Sequence, residues 1–456
     1  MQHEEQENHF LNSVLNMRTI KLLTLFICIS TLGFSQGKAD LFDSLFSTMN
    51  QRRQFYGNVL IAENSNITFS KCYGYADREK KTLLNEQSLF NIGSVSKAFT
   101  AIAILQLVEN KKVKLSDYVS KYLPDFPYPD ITIHHLLIHA AGLPLDYFPH
   151  DSIDKSTIAT NNDVLSVLYS KKPPLLFKPG QRSEYSNLGY MILAEVVKAS
   201  SKVDYKDYLQ EKIFGLANMT RTDIYTAKEI KQVENVAKGY VLYPFSGKYV
   251  EAINIPEFRS NYTMSGFQGD GNVYSTTTDL FNFYKTLSNN TLIKEASLKL
   301  AYQNHISANM QGTPDYGHSY GYGWLILNAP KQIVNRGGEL PGYVTNTSWN
   351  IPDERLIIYL SNDYLSYTSY QNQLPMAIAG IFYQNKVEIP KMVASVELTK
   401  IVITSSTESI IAKINEIKSN PELYLIDLQG LKFLVMKLEQ TGNNDKADLI
   451  VESFKP

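Results

Sequence analysis

Residues Ala98 to Val108 read Ala-Phe-Thr-Ala-Ile-Ala-Ile-Leu-Gln-Leu-Val, a run that is apolar on almost every side. It is rich in Ala and Leu and contains neither Gly nor Pro, so it predicts a helix. A helix without a polar face has nowhere to meet water and must lie enclosed at the centre of a domain. Other elements therefore have to surround it. The 456 residues supply enough chain for one large domain and a smaller appendage. The run ends at the polar stretch Glu109-Asn110-Lys111-Lys112.

The flanking sequence supplies the surrounding elements. Asp40 to Phe55 places Leu41, Leu45, Phe46 and Met49 on one side of a helix. Asn58 to Ala62 and Ile67 to Tyr75 read as strands joined by the polar turn Glu63-Asn64-Ser65-Asn66, which makes a hairpin. Ile131 to Leu287 reads mainly as helices and long loops. Strand signals return at Tyr322 to Leu327, Gln332 to Asn335, Tyr343 to Asn350 and Arg355 to Leu360, with Gly or Pro between them. Strands thus open the domain, helices fill its middle and strands close it. The simplest architecture is α/β (α+β): one antiparallel sheet built from both chain ends, flanked by helices, with a mostly helical insertion. The character changes near Lys386. Helices are predicted at Glu408 to Ile417, Pro421 to Glu439 and Asp445 to Phe454. We therefore expect a main domain over residues 37–385 and a C-terminal helical extension over 386–456, packed against it.

The N-terminus carries an export pattern. Met17-Arg18-Thr19-Ile20-Lys21 is followed by an apolar run from Leu22 to Phe34 that ends among Gly33, Ser35 and Gly37. A positive start, a short apolar middle and a small-residue end describe a secretory signal peptide. Residues 1–36 are expected to be removed, with Met17 as the true start. The run falls short of the roughly 20 apolar residues that span a bilayer, so no stable membrane span is expected afterwards. The location implied is periplasmic or secreted. Cys28 lies within the signal, which leaves Cys72 alone and excludes an internal disulfide. A formal net charge of −1 argues against a nucleic-acid partner and for a small-molecule or peptide substrate.

Three short motifs carry chemistry. Ser94-Val95-Ser96-Lys97 stands at the mouth of the apolar helix. Positions i and i+3 share a helix face, so the lysine nitrogen can reach the serine hydroxyl. Burial and a helix N-terminus lower a lysine pKa, leaving an amine able to take the serine proton. Gly93 allows a tight entry, and Ser96 is a candidate N-cap. A second Ser-x-x-Lys, Ser152 to Lys155, has no buried helix behind it. Tyr185-Ser186-Asn187 follows the turn Lys178-Pro179-Gly180-Gln181 and leads into a helix. A phenol beside a Ser–Lys pair can relay protons, and an Asn amide can hold a carbonyl. Arg336-Gly337-Gly338-Glu339 lies between two strand signals, on an expected edge strand. There the glycines would let a substrate backbone approach and the cation would attract a substrate carboxylate.

In that order, the three motifs resemble the signatures of the serine β-lactamase and penicillin-binding protein family. The match is to its class C-like branch, which includes D-Ala-D-Ala carboxypeptidases, D-aminopeptidases and esterases. Phe90 to Lys97, Ile131 to Pro144, Gly271 to Leu280, Tyr320 to Trp324 and Pro341-Gly342-Tyr343 also resemble family text, and the likeness covers about Leu41 to Tyr383. The resemblance implies the β-lactamase/transpeptidase-like fold and an acyl-enzyme on Ser94. Lys97 and Tyr185 would share general-base and general-acid duty, and Asn187 would orient the substrate. The backbone N–H groups of Ser94 and Glu339 would form the oxyanion hole. The third motif usually begins with Lys or His. Arg336 keeps the charge but cannot shuttle protons. His135 and His139 have i, i+4 spacing, but no Glu follows His135, so a zinc-protease motif is absent and neither metal nor cofactor is expected.

The function expected is hydrolysis of an ester or amide, whether D-residue peptide, small ester or β-lactam, through a Ser94 acyl-enzyme. A peptidase or esterase ranks above a true β-lactamase, because Arg336 departs from the usual cation. The alternative is a catalytically inactive binding or sensor protein of the same fold that recognises cell-wall fragments or a partner protein.

Overall fold

The computed structural model describes residues 37–143, 157–258, 260–308, 317–327, 331–364, 370 and 373–455. The export pattern and the second Ser-x-x-Lys copy at Ser152 to Lys155 lie outside them.

Helix α1 covers residues 37–51. Strands β1 (Gly57–Glu63) and β2 (Asn66–Tyr73) follow as the expected hairpin. Its turn is Asn64-Ser65, both with positive φ (51° and 60°), the conformation that matches the twist of paired strands. Helix α2 spans Ser96–Glu109, and every residue from Ser96 to Leu107 is buried. Around it lie α3 (Ile133–Leu137), α4 (Asn187–Ser201) and α5 (Thr277–Ser288).

The late strands are β3 (Ile306–Ser307), β4 (Ser319–Tyr320), β5 (Leu325–Leu327), β6 (Ile333–Leu340), β7 (Tyr343–Asn350) and β8 (Arg355–Ser361). They join the first hairpin in one eight-stranded sheet of order β3-β4-β5-β6-β7-β8-β1-β2. Every neighbouring pair in it is antiparallel. The sheet is thus built from both chain ends, as the strand signals require.

Both faces of this sheet are covered. Leu60 and Ala62 of β1 join the core around α2, whereas Val59 and Ile61 join a second core. In that second core, Phe42 and Phe46 of α1 meet Leu374 and Ile381 of α6 (Gln373–Gln384). This explains why β1 reads Asn-Val-Leu-Ile-Ala without polar alternation: a strand with two dry faces needs apolar residues at every position.

Two strand expectations are corrected. The signal at Tyr322 becomes a strand only at Leu325, because the chain turns at Gly323 against α2. A Cβ on Gly323 would lie 2.9 Å from Ala101 Cβ, and its φ is +89°. The signal at Gln332 to Asn335 extends to Leu340, because the reversal falls at Pro341-Gly342 (Gly342 φ +96°) and not at the two glycines before it. Nor is β6 an edge strand. It runs inside the sheet, but β5 pairs only with Ile333 to Asn335 while β7 pairs along all of Ile333 to Leu340. Arg336 to Leu340 therefore keep one open edge.

The C-terminal region forms α7 (Ala394–Thr399), α8 (Thr407–Ser419), α9 (Leu428–Gln440) and α10 (Asn444–Ser453). Leu398, Ile410, Ile414, Leu431, Leu434 and Ile450 share a core of their own. The helix expected from Pro421 begins only at Leu428. Before it, Tyr424-Leu425 pair in parallel with Met392-Val393, and the Asp427 carboxylate accepts the Ser395 N–H (3.0 Å) in the first turn of α7. Among the described residues no helix is long and apolar enough to cross a membrane.

Ile102, fully buried in α2, tests how far the fold leans on that helix. Ile102→Ala should lower the unfolding free energy by about 2–5 kcal/mol, read from urea denaturation.

Candidate active site

Ser94 lies in the single tight turn Gly93–Val95 that enters α2. The turn is held from three sides. Gly93, at φ +51°, donates its N–H to Asn91 Oδ1 (3.0 Å). Val95 N–H reaches Ile92 O (3.1 Å), and Ile92 N–H reaches Val273 O (2.9 Å). Ser96 is not the N-cap that its position suggested. Val95 is, and Ser96 Oγ accepts the Val273 N–H (3.4 Å).

Four side chains from distant parts of the chain meet beside this turn. Lys97 Nζ donates to Ser94 Oγ (3.0 Å), Asn187 Oδ1 (2.8 Å) and Asp270 O (2.7 Å). Ser94 Oγ and the Tyr185 hydroxyl share a hydrogen bond of 2.6 Å. Tyr185 and Asn187 arrive together because Ser186 caps α4, its hydroxyl accepting the Gly189 N–H. Arg336 departs from the expectation that it would face a substrate carboxylate. Only 3% exposed, it donates from Nε to Ser94 O (2.8 Å) and from Nη2 to the Tyr185 hydroxyl (3.2 Å). The reason is the strand alternation of β6, which turns position 336 toward the core.

Strand β6 touches the turn with its backbone. A Cβ on Gly338 would fall 2.1 Å from Ile92 O and 2.9 Å from Ser94 N, and one on Gly93 would fall 3.0 Å from Glu339 N. Only glycine fits either position. That approach lays the backbone of Gly338 and Glu339 against the Ser94 turn.

Comparison with known proteins places the chain in a family. A family model described as Beta-lactamase matches residues 42–374. Penicillin-binding protein 4* of Bacillus subtilis (strain 168) is 34% identical over 361 residues, 78% of this chain and 78% of its own length. The chain belongs to the beta-lactamase family. Members of this family, this chain included, are serine hydrolases. The crystal structure of a penicillin binding protein from Bacillus halodurans superposes with a TM-score of 0.62 at 25% identity, covering 72% of this chain and 98% of that one. A D-amino acid amidase from Ochrobactrum anthropi SV3 shares the fold, with a TM-score of 0.63 at 19% identity, covering 78% of this chain and all of its own (100%).

The electrostatics of this beta-lactamase-family site follow from burial. Burial pushes the Lys97 amine below its ordinary range and Arg336 adds to that, against the pull of Tyr185 and Asp270. Burial alone would push Tyr185 up, but Lys97 and Arg336 outweigh it and hold the phenol below its ordinary range. Two groups that begin near the same pKa are thus both lowered and share one hydroxyl, so they titrate as a unit.

Two contributors were not legible in the motifs. Asp270 accepts the Lys97 hydrogen bond through its backbone carbonyl, a contact that leaves no trace in side-chain chemistry, while its charge also acts on the amine. Its one signal is its place just before the Gly271 to Leu280 block. His139 looked like part of a structural block, yet its ring lies 4.6 Å from that of Tyr185. It sits at φ +57° and its Nδ1 accepts the Ser186 N–H (3.2 Å). Burial, followed by Arg336 and Lys97, holds it well below its ordinary pKa and so neutral.

Arg336 lowers both Lys97 and Tyr185. In Arg336→Gln both groups should bind their proton more tightly. The acid limb of the kcat/KM profile should therefore move to higher pH, as measured on a p-nitrophenyl ester.

Proposed function

We propose that this protein is an exported serine hydrolase that cleaves an ester or amide through a Ser94 acyl-enzyme. The observation that carries the proposal is one hydroxyl oxygen within hydrogen-bond reach of both Lys97 Nζ (3.0 Å) and the Tyr185 oxygen (2.6 Å). Ser94 Oγ attacks the substrate carbonyl and its proton passes to the Lys97–Tyr185 pair. The oxyanion accepts the N–H groups of Ser94 and Glu339. The same proton then protonates the leaving group as the carbonyl–leaving-group bond breaks. Water repeats the sequence on the acyl-enzyme and frees the acid. Splitting the reaction in this way replaces one hard step with two easier ones.

Asn187 fixes the Lys97 nitrogen through its Oδ1, and its amide nitrogen side is the part suited to a substrate carbonyl. Arg336 serves as a fixed charge beneath Tyr185. A guanidinium keeps its proton and so relays none. Residues 37–385 form the catalytic unit and 386–456 an extension carried on it. The pattern from Met17 to Gly37 supports export.

The substrate is a peptide with a D-residue, a small ester or a β-lactam, in a site that favours peptidase or esterase action. The kinship with penicillin-binding protein 4* and the fold shared with a D-amino acid amidase support that range. A sensor of the same fold would have no need of the full Ser94–Lys97–Tyr185 set.

Labelling with a fluorescent penicillin or a fluorophosphonate tests the nucleophile. Wild type should label and Ser94→Ala should not. Labelling of neither would favour the sensor, and equal labelling of both would move the nucleophile elsewhere. Lys97→Ala should lower turnover by about 10²-fold or more. A near wild-type rate would show that Lys97 only packs.

A further inference from the structure

A second cavity lies outside the Ser94 site, between α5, the short helix Glu295–Ala301 and the sheet. Its volume is about 710 Å³, within the roughly 300–1,000 Å³ of small-molecule sites. Half-buried Trp349 of β7 lines it, together with buried Tyr284 and Tyr302. Both tyrosine rings meet the indole nearly edge-on, at 82° and 87° with centroids 5.7 and 6.1 Å away, and fix it in place. Tyr284 is itself fixed: its hydroxyl shares a hydrogen bond with Thr347 Oγ1 (2.6 Å) and accepts the Trp324 indole N–H (3.0 Å). Trp349 thus offers a rigid aromatic surface, and among the described residues its own N–H donates to no protein group.

Position along β7 separates this cavity from the nucleophile. Thr345, Thr347 and Trp349 share one face of the strand. Thr345 Oγ1 donates to Ile92 O (2.8 Å) beside the Ser94 turn, Thr347 meets Tyr284, and Trp349 reaches the cavity. From Thr345 to Trp349 is about 13 Å, at roughly 3.3 Å per residue. Among the described residues, the lining contains none of Ser94, Lys97, Tyr185, Asn187 and Arg336.

The rest of the lining decides what kind of ligand fits. Its charged groups cancel: Lys285 and Lys299 stand against Glu295 and Glu354, and Lys299 is already paired with Glu295 (2.6 Å). Neither an anion nor a cation is favoured. Amides supply much of the remaining polarity. Gln303 and Asn304 are exposed, and Gln332 is pinned by a bond from its Nε2 to Tyr302 O (3.0 Å), which leaves its Oε1 as an acceptor. A purely apolar ligand would strip water from these amides and from the indole N–H and give no hydrogen bond in return, which costs free energy. A sugar ring meets both needs. Its C–H groups form an apolar face for the indole, and its hydroxyls both donate and accept around the edge.

We propose that this cavity binds a neutral saccharide against Trp349, as a site separate from the Ser94 chemistry. A ring held on a fixed indole and bonded by side-chain amides is the arrangement invoked, and it does not depend on the acyl-enzyme.

Titration of the full-length protein with cellobiose, lactose and N,N′-diacetylchitobiose tests it, read by calorimetry and by tryptophan emission. Trp349 is one of two tryptophans and the other, Trp324, is 0% exposed, so a change in emission reports the cavity. At least one of these neutral disaccharides should bind with a dissociation constant of about 1 mM or tighter. Gln303→Ala with Asn304→Ala, both at exposed positions where folding is not at stake, should weaken binding about tenfold. Trp349→Ala should weaken it at least as much, with thermal melts confirming that each variant is folded. Ser94→Ala should bind as wild type does. Silence toward all three sugars, or an affinity that survives both the amide and the Trp349 changes, overturns the saccharide site. Binding that is lost in Ser94→Ala, or blocked by a fluorescent penicillin on Ser94, puts the sugar beside the nucleophile and overturns it too. The labelling of Ser94 has its own experiment, so either reading can fail alone.

Discussion

A lysine nitrogen with no access to water sets the terms for the rest of this structure. Lys97 is fully buried, and an ammonium or amine in that position is tolerable only if oxygens surround it. Three do, and they come from three places: the preceding turn, the start of α4 and the carbonyl of Asp270. Each must be fixed to within a few tenths of an ångström, so each brings its own supports. Asn91 pins the turn, Ser186 caps α4, and His139 holds the Ser186 backbone from below. Enclosing α2 is thus more than a packing outcome. It creates the dry pocket in which neighbouring charges act at full strength.

The second constraint is steric. Strand β6 comes so near the nucleophile turn that neither Gly93 nor Gly338 can carry a side chain. That contact joins the sheet to the helical half of the domain beside the proposed nucleophile. It also decides the role of Arg336, since a strand drawn in this far turns position 336 under Tyr185 and away from the cleft. The same arginine that ties down the Ser94 carbonyl lowers the proton affinity of two neighbouring groups. Position and electrostatics are one device here.

Much of this was legible in the chain. The all-apolar run at Ala98 demanded a central helix, the polar turn Glu63-Asn64-Ser65-Asn66 marked the first hairpin, and strands at both ends implied a sheet closed by both. Ser94, Lys97, Tyr185 and Asn187 could be named from spacing and resemblance, and the fold brings all four together. What could not be seen shares one physical cause: it depends on contacts that local sequence does not encode. Two adjacent glycines suggest an edge strand until the facing backbone of the Ser94 turn explains them. Arg336 looks like an anion grip until strand alternation turns it inward. Pro421 starts no helix, because Tyr424-Leu425 pair with the distant Met392-Val393. Asp270 contributes through its backbone, which every residue possesses.

The sheet order has a consequence for how the molecule is made. Gly57 at the start of β1 pairs with Ser361 at the end of β8, so the ladder joins segments about 300 residues apart in the chain. Until β8 leaves the ribosome, β1 has β2 alone for a neighbour, and a lone hairpin is marginal in water. Contacts this far apart in sequence also form slowly. The eight-stranded sheet can therefore close only once β8 has been made.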